Sequence, residues 1–519
     1  MPLILRLAAA AGVLFCTAAA AVADPPSVVG RLSDIEGPVS FHPADQGQWV
    51  LATLNFPVVA GDSLWTDPGA RAEVQIGPAE IRMDGQTEVD ILRLDDNGLV
   101  VRVDQGVINL HLHALPPGGA QVITAPGRLD LLGPGTYRVD TGHPAPGGAP
   151  PPTRIAVLEG EARLIGQRTA VDIQPGEEAV VAPDQSTLTM VQAEATPFDD
   201  WALARERREV AADSLQYVSP WMTGYQDLDR YGSWTSVPAY GAVWFPATVA
   251  VGWAPYRYGH WAYVAPWGWT WMDNAPWGFT PFHYGRWVDL DGRWGWCPGP
   301  RIARPIYAPA LVAFAEPPGA QVPHAARGGP VVGWVPLAPG EPFHPYYRAS
   351  PDYVRKLNSG HSLGYRGPAG QTAPPATVAA FRNGNAATAV PATTFTGARQ
   401  VHQELLQGPP RQIAEAPVTA RIGRLQPMPE ARLGAATAIV RPSPPPVQRP
   451  AAGWQDQARQ RPAFMPRQDI PRPVQQTRPM ATPQGWVRAP QHQPGPAGHP
   501  GGQPHPQQGG RGGGAPDHH

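Results

Sequence analysis

The N-terminal part of the chain consists of short runs in which apolar and polar residues alternate. Such runs occupy residues 71–76, 88–93 and 135–139, and turn-forming residues such as those at 67–69 separate them. Alternation with a period of two places successive side chains on opposite faces of a strand, so one face can be buried. A succession of such strands predicts an all-β domain, a sandwich or rolled sheet, over residues 24–192.

A helical period replaces this alternation in residues 196–216. The positions that share one helical face are Trp201, Ala204, Ala211 and Leu215. Charged residues at 206–209 supply the solvated positions of such a helix. We therefore expect a connector helix within residues 193–220 that docks one domain on the next.

Residues 221–358 combine a high tryptophan content with an imperfect internal repeat. Twelve of the eighteen tryptophans of the chain lie between Trp221 and Trp296. The segment PYRYGHW at 255–261 recurs 26 residues later as PFHYGRW at 281–287. A repeat of this length is typical of a β-hairpin that stacks on its neighbour, so a Trp-rich β module is predicted.

Turn chemistry supports the hairpin interpretation of the second repeat. Asp291 and Gly292 form the dipeptide that favours a type I′ turn, and they lie between Trp287 and Trp294. A shorter echo of the motif, YGSW, stands at residues 231–234. Each repeat is therefore expected to be one small antiparallel unit.

The aromatic rings of this module allow two interpretations. Trp267, Trp269 and Trp271 alternate, so in a strand all three rings project from one face. Exposed rings would stack on flat ligands such as sugars, whereas mutually packed rings would replace the Leu and Ile that residues 253–300 lack. The candidate binding residues are Tyr258, Trp261, Trp267, Trp269, Trp271, Tyr284 and Trp287. Most rings are expected to be structural, with a minority exposed.

The remaining sequence, residues 359–519, is rich in Pro, Ala, Gln, Gly and Arg. Much of the chain's total of 67 prolines and 57 glycines lies here, in runs such as RPSPPP at 441–446. Segments with so few large apolar residues do not bury enough surface to offset the entropy of ordering. A long disordered tail is therefore predicted.

The first 23 residues have the pattern of a secretory signal peptide. Arg6 precedes an apolar stretch, and Ala21-Val22-Ala23 provides small residues for cleavage after Ala23. The mature protein would then be periplasmic or secreted, with no integral membrane segment. Cys297 would be its only cysteine, which excludes an internal disulfide and favours a small buried residue.

The N-terminal β region resembles a known family. The segments GPV at 37–39, GDSLWT at 61–66 and VITAP at 122–126 are similar to a FecR-type domain, over about 165 residues. That resemblance implies an all-β fold and a periplasmic location. Members of the family include periplasmic sensors that relay the occupancy of an outer-membrane transporter to a cytoplasmic sigma factor.

The region from residue 198 to about residue 358 resembles a second family. Its landmarks here are the WAPY at 253–256, the YGxW segments at 258–261 and 284–287, and WGW at 294–296. The family comprises secreted bacterial proteins of unknown function, in which a FecR-like domain precedes Trp-rich units. The resemblance implies an architecture and brings no activity with it.

No specific catalytic motif is present in the sequence. GxSxG, HExxH and P-loop patterns are all absent. His111 and His113 lie two residues apart, so one strand face would carry both and could supply two metal ligands. No Cys or further His stands near them, and strand-surface histidines are the simpler interpretation. We therefore predict no cofactor, no metal and no enzymatic activity.

The expected function is that of a non-catalytic scaffold or binding protein of the cell envelope. The expected partner is an envelope glycan or another envelope protein, and nucleic acid is not expected. The alternative is a periplasmic signal-sensing component that passes a signal to a separate membrane regulator.

Overall fold

The computed structural model describes most of the chain between residues 23 and 443. The described ranges are residues 23–143, 149–167, 170–210, 213–316, 330–359, 376–406, 413–435 and 439–443. The predicted signal peptide as far as residue 22, and the low-complexity sequence after residue 443, lie outside them. The described residues belong to one compact unit.

The N-terminal region is a succession of β-strands, as the alternating pattern predicts. These strands are β1 (Gly30–Glu36), β2 (Val39–His42), β3 (Trp49–Leu51), β4 (Pro57–Val58), β5 (Ser63–Thr66), β6 (Arg71–Ile76), β7 (Ala79–Met83), β8 (Glu88–Asp95), β9 (Gly98–Leu112), β10 (Ala120–Ile123), β11 (Gly127–Leu131), β12 (Gly135–Gly142), β13 (Thr153–Val157), β14 (Ala162–Gly166), β15 (Ala170–Ile173), β16 (Glu177–Val181) and β17 (Leu188–Gln192). The predicted runs at 71–76, 88–93 and 135–139 coincide with β6, β8 and β12, which confirms the all-β prediction for this region.

Two sheets share the long strand β9. Sheet A has the order β4-β1-β6-β7-β9-β12-β13-β16-β17. Sheet B has the order β3-β2-β5-β8-β9-β10-β11-β14-β15, in which only the β9–β10 pair is parallel. The first half of β9 belongs to sheet B and its second half to sheet A. Apolar side chains from both sheets, such as Ile81, Val101 and Leu110, meet in one core.

The connector helix α1 (Pro197–Val210) begins at a capping box. The Thr196 hydroxyl accepts the Asp199 N–H at 3.2 Å, and the Asp199 carboxylate accepts the Thr196 N–H at 2.9 Å. The buried helix face differs from the predicted one, because Phe198 and Ala202 are buried whereas Ala204 is exposed. The helix contacts sheet A through charged side chains. A search of the sequence for an apolar stripe does not detect a buried face of this kind.

Short strands and helices make up the rest of the described chain. They are α2 (Leu228–Tyr231), β18 (Gly232–Val237), β19 (Gly241–Pro246), β20 (Gly259–Val264), β21 (Gly268–Asp273), α3 (Thr280–His283), β22 (Arg286–Leu290), β23 (Arg293–Cys297), β24 (Val312–Ala315), β25 (Val331–Pro336), α4 (Pro351–Asn358), β26 (Thr388–Pro391), α5 (Ala392–Thr396), α6 (Pro429–Arg432) and β27 (Val440–Arg441). Single 3₁₀ turns occur at Asp213–Gln216, Tyr225–Asp227, Val378–Ala380, Gly384–Ala386, Val401–Gln403 and Arg421–Arg424.

The Trp-rich module contains three hairpins, β18–β19, β20–β21 and β22–β23. The first and third join through β19 and β23, and β24, β25 and β26 form a separate sheet. Asp291 and Gly292 connect β22 to β23 with φ angles of 54° and 83°. Both residues are in the left-handed region that a type I′ turn requires, so the predicted turn is confirmed.

The β20–β21 hairpin lies between two cores. Its Ala262, Val264 and Met272 side chains pack into the core of the N-terminal sheets. On its opposite face, Trp261 and Trp271 pack into a second, aromatic core. Because successive side chains of a strand point to opposite faces, one hairpin contributes to both cores. The two predicted domains therefore share a continuous packed interface.

Buried hydrogen bonds reinforce this interface. Arg31 of β1 donates to the Asn55 side chain at 2.9 Å and to the Asp227 carboxylate at 2.5 Å. Asn55 in turn donates to the main-chain oxygens of Asp273 and Ala275 at 3.1 and 2.7 Å. Charge-assisted bonds that are shielded from water hold the two regions in one orientation.

The boundary of the predicted tail at residue 359 is corrected by the structure. Val390, Phe395 and Val401, from residues 376–406, are buried in the aromatic core. Val440 of β27 pairs with Val50 of β3 at the edge of sheet B. A composition rich in Pro and Ala predicts disorder because the segment, considered by itself, has too few large apolar residues to form a core. Here the few apolar residues pack on a core that distant residues supply.

Candidate binding site

The YGxW repeat forms the same local structure in all three hairpins. In each hairpin the Trp of the motif faces a second Trp directly across the two strands. The cross-strand pairs are Trp234 with Trp244, Trp261 with Trp271, and Trp287 with Trp296. Cross-strand aromatic pairs are favourable units of sheet stability, so the repeat encodes a Trp-paired hairpin.

The glycine of each motif makes room for the partner indole. A β-carbon on Gly259 would lie 2.7 Å from Cζ2 of the Trp271 ring, and one on Gly285 would lie 2.8 Å from Cε2 of the Trp296 ring and closer still to its Nε1. A β-carbon on Gly232 would overlap the Trp244 ring in the same way. Ordinary van der Waals contact of a β-carbon begins at about 3.4 Å. Only glycine therefore fits beneath these rings.

The second tryptophan of each pair also has a fixed indole N–H. Trp244 donates to the Leu228 carbonyl oxygen at 2.8 Å, and Trp296 donates to the Tyr284 carbonyl oxygen at 2.8 Å. Trp271 donates to the Asp273 carboxylate at 3.1 Å. A buried indole N–H usually finds an acceptor, and in these three rings it does.

The candidate aromatic surface is mostly part of the core, which corrects that expectation. Six of the seven residues are at most 3% exposed; they are Trp261, Trp267, Trp269, Trp271, Tyr284 and Trp287. Only Tyr258 is half-buried, and its ring stacks on that of His402 with 5.1 Å between centroids. The rings face one another because leucine and isoleucine are scarce here, and they are inaccessible to a ligand.

Two tryptophans of the module remain partly exposed. Among the twelve between residues 221 and 296, all of them in the described part of the chain, only Trp221 and Trp234 are not buried. Neither belongs to the alternating set that the sequence singled out. Exposure depends on which segment of the chain covers each ring, and sequence alternation does not show that.

Trp221 lies in the wall of a cleft between the N-terminal sheets and the Trp-rich module. The cleft encloses about 360 Å³. Apolar residues of both regions line it, among them Ile76, Leu99, Met222 and Leu311. Size and lining are those of a small-molecule or peptide-segment site, and such sites favour the junctions of packed units.

Charged groups of both signs surround the cleft. Asp95 and Asp96 stand on the N-terminal side, where the Asp96 carboxylate accepts the Ser27 hydroxyl at 3.1 Å. Arg304 and Lys356 of the later part of the chain also line the cleft, and Lys356 is paired with Asp352 at 2.9 Å. The Arg304 guanidinium lies over the Trp221 ring, 5.0 Å from its centroid. An apolar interior with two signs of charge at the rim suits a ligand that is itself amphipathic.

His283 also lines the cleft but serves a structural purpose. Its Nδ1 lies 2.8 Å from the Ala308 carbonyl oxygen, and burial lowers the pKa of the ring to about 3. His260, at the other repeat, is buried with Nε2 2.6 Å from the Gly434 carbonyl oxygen. Both imidazoles therefore fix loops of the backbone.

A second hollow of about 720 Å³ lies on sheet B and is more polar. Its lining includes Trp49, Asp90 and Arg102. Arg102 is paired with both Asp90 and Asp104. The Arg102 guanidinium is therefore already engaged by two carboxylates, which leaves it less available to a ligand.

A cluster of metal-ligating residues stands apart from the cleft, on sheet A. The register of β7 and β9 places Glu80 directly opposite His111, and His113 follows on the same strand face. The three side chains offer ligand atoms within 4.8 Å of one another. Burial, followed by the charges of His113 and Arg82, lowers the pKa of His111 to about 3. The sequence identified the two histidines but could not supply Glu80, since strand register is a tertiary property.

Comparison with known proteins gives one family match. Residues 225–341 match a family of unknown function, DUF6600. This stretch contains the three hairpins and lies within residues 198–358, for which the sequence indicated an uncharacterised family. No curated protein matches the chain.

Two solved structures show a distant similarity. Both are of a "putative anti-sigma factor" from Parabacteroides distasonis ATCC 8503, at 1.65 and 2.50 Å resolution. They align with 27% of this chain at 12% and 13% identity, each with a TM-score of 0.24. The chain spans 64% and 63% of their lengths, which is less than two thirds. Similarity at this level carries no argument about function.

None of the helices among the described residues has both the length and the apolar composition needed to cross a membrane.

Proposed function

We propose that this protein is a non-catalytic binding protein of the cell envelope, located in the periplasm or outside the cell. The proposed location follows from the signal-peptide pattern of residues 1–23. The proposed ligand is an envelope glycan, and the binding site is the interdomain cleft.

The observation that carries this proposal is the position of Trp221. Its half-buried ring lines a largely apolar cleft, and carboxylates and basic groups stand at the rim. Sugar rings present flat apolar faces that pack on aromatic side chains, and their hydroxyls need polar neighbours. Asp95 and Asp96 would accept hydrogen bonds from hydroxyl or amino groups, and Arg304 would donate to carboxyl groups.

Backbone contacts hold the cleft in shape without a ligand. The Ser219 hydroxyl donates to the Ala303 carbonyl oxygen at 2.7 Å, and Arg301 donates to the Val218 carbonyl oxygen at 3.1 Å. These bonds tie the proline-rich segment at 298–306 to the chain before Trp221. A preformed site loses little conformational entropy when a ligand binds.

Titration of the purified protein with soluble fragments of envelope glycan tests the proposal. Binding would be followed by calorimetry, because the many buried tryptophans dominate the fluorescence. Trp221→Ala should weaken binding by about 1 to 2 kcal/mol, or roughly 5- to 30-fold in Kd. Trp201→Ala is the matched control, since Trp201 is also partly exposed but lies on α1, outside the cleft.

Two results would count against this proposal, the first against the cleft and the second against the glycan. Equal affinity in both variants would place the binding site elsewhere. Absence of glycan binding, together with co-purification of an inner-membrane regulator, would favour the alternative function of a periplasmic signal-sensing component.

A further inference from the structure

The side chains of Glu80, His111 and His113 form the most compact group of potential metal ligands in the described residues. His111 Nε2 and His113 Nδ1 are 3.3 Å apart. Two nitrogens bound to one tetrahedral zinc ion, each at about 2.0 Å, are separated by roughly the same distance. The imidazoles therefore already hold the spacing that one metal ion requires.

Glu80 supplies the third ligand of the group. One ligand atom from each of the three side chains, Glu80 included, lies within 4.8 Å of the other two, and the Gln226 side chain donates to Glu80 Oε1 at 3.1 Å. Two histidines and one glutamate are a known ligand set for zinc, in which further positions remain open for water. The Glu80 and His111 side chains are buried, whereas the His113 side chain is 26% exposed and leaves a path for an ion.

The second ring nitrogen of His111 has the partners expected of a metal ligand. His111 Nδ1 lies 2.8 Å from the Thr136 hydroxyl and 3.3 Å from Glu206 Oε2. Metal-bound histidines commonly donate their other N–H to such a group, which fixes the tautomer and the ring orientation. Glu206 belongs to α1, so the connector helix reaches the site through this carboxylate.

Charges around the group favour a cation. Four carboxylates face this part of sheet A, from Asp34, Glu73, Glu80 and Glu206, and two guanidinium groups oppose them. Those groups, from Arg82 and Arg205, are both paired with Glu73. Carboxylates thus outnumber guanidinium groups here, and both guanidinium groups are paired with a carboxylate.

We propose that Glu80, His111 and His113 bind one divalent transition-metal ion of the zinc class, with Glu206 and Thr136 positioning His111. The ion would stabilise the contact between α1 and sheet A, because its positive charge would strengthen the attraction between the His111 ring and the Glu206 carboxylate. Imidazole and carboxylate ligands suit zinc and its neighbours and do not suit calcium or magnesium, which prefer oxygen ligands throughout.

Metal titration of the full-length chain tests the site. The protein would be stripped with EDTA, desalted and titrated with Zn²⁺ against a chromogenic chelator. One ion should bind per chain at this site. His113→Ala should weaken that binding by about 100-fold or more, and Glu206→Gln by about 10- to 100-fold, as expected for an orienting group. His113 is the most exposed ligand, so its replacement should disturb folding least, which far-UV circular dichroism would check.

A matched control addresses the histidines of the C-terminal sequence. The double substitution His518→Ala with His519→Ala should leave the Zn²⁺ affinity of the sheet A site unchanged. Co²⁺ absorption would provide a second readout, with a tetrahedral visible spectrum that His113→Ala abolishes. The proposal is overturned if the stripped chain binds no Zn²⁺, if His113→Ala binds as tightly as the wild type, or if only the double variant loses binding.

Discussion

The fit of glycine beneath the paired tryptophans can be tested at Gly285. A β-carbon there would lie 2.5 Å from the Cys297 carbonyl oxygen, 2.8 Å from Cε2 of the Trp296 ring, and closer still to its Nε1. Gly285 also has a φ of 67°. The left-handed backbone costs an alanine about 1 to 2 kcal/mol, and overpacking adds about 1 to 3 kcal/mol. Gly285→Ala should therefore lower the free energy of unfolding by about 2 to 5 kcal/mol.

Gly292, at the tip of the same hairpin, separates these two contributions. Its φ of 83° is also left-handed, but a β-carbon there would meet no atom within 4 Å. Gly292→Ala should therefore cost only the backbone contribution, about 1 to 2 kcal/mol. Urea unfolding followed by tryptophan fluorescence would compare both variants with the wild type. If Gly285→Ala unfolded at the same urea concentration as Gly292→Ala, the steric account of the YGxW motif would be refuted.

Three further predictions concern buried side chains. Trp261→Ala should lower the free energy of unfolding by about 3 to 5 kcal/mol, measured by urea unfolding, because its ring is fully buried. Burial raises the pKa of Asp273 from 3.8 to about 7, although Ala275 and Trp271 donate hydrogen bonds to it. The folded protein therefore holds this proton more tightly than the unfolded chain, and the wild type should lose stability relative to Asp273→Asn as pH rises from 3.8 to about 7. A difference in thermal unfolding that stayed constant with pH would contradict this. Burial raises the pKa of Cys297 to about 12, so its thiol should resist alkylation at pH 8 in the native protein and react once unfolded, as peptide mass spectrometry would show.

The paired tryptophans explain why a module with so many aromatic residues need not be an aromatic binding surface. Each hairpin is too small to bury its own apolar face, so its rings must pack on those of the neighbouring units. Trp261 contacts Trp271, Trp334 and Phe395, which come from separate segments of the chain. Of the two tryptophans of the module that remain partly exposed, Trp221 and Trp234, only Trp221 is among the described residues that line the cleft.

Local patterns were sufficient to predict the all-β character of the N-terminal region, several of its strands and one tight turn of this protein. The alternation in residues 71–76 corresponds to β6, and Asp291-Gly292 forms the predicted type I′ turn. These features depend on backbone preferences and on side-chain periodicity, and both act over a few residues.

Tertiary structure alone decided which of these residues are accessible and which lie together. Burial of Trp269 depends on Phe395, which lies in the part of the chain where composition indicated disorder. Glu80 completes the group with His111 and His113 because β7 pairs with β9 in one register, and a shift by one residue would turn it to the other face. Exposure and register are set by contacts between residues distant in sequence, so local patterns do not contain them.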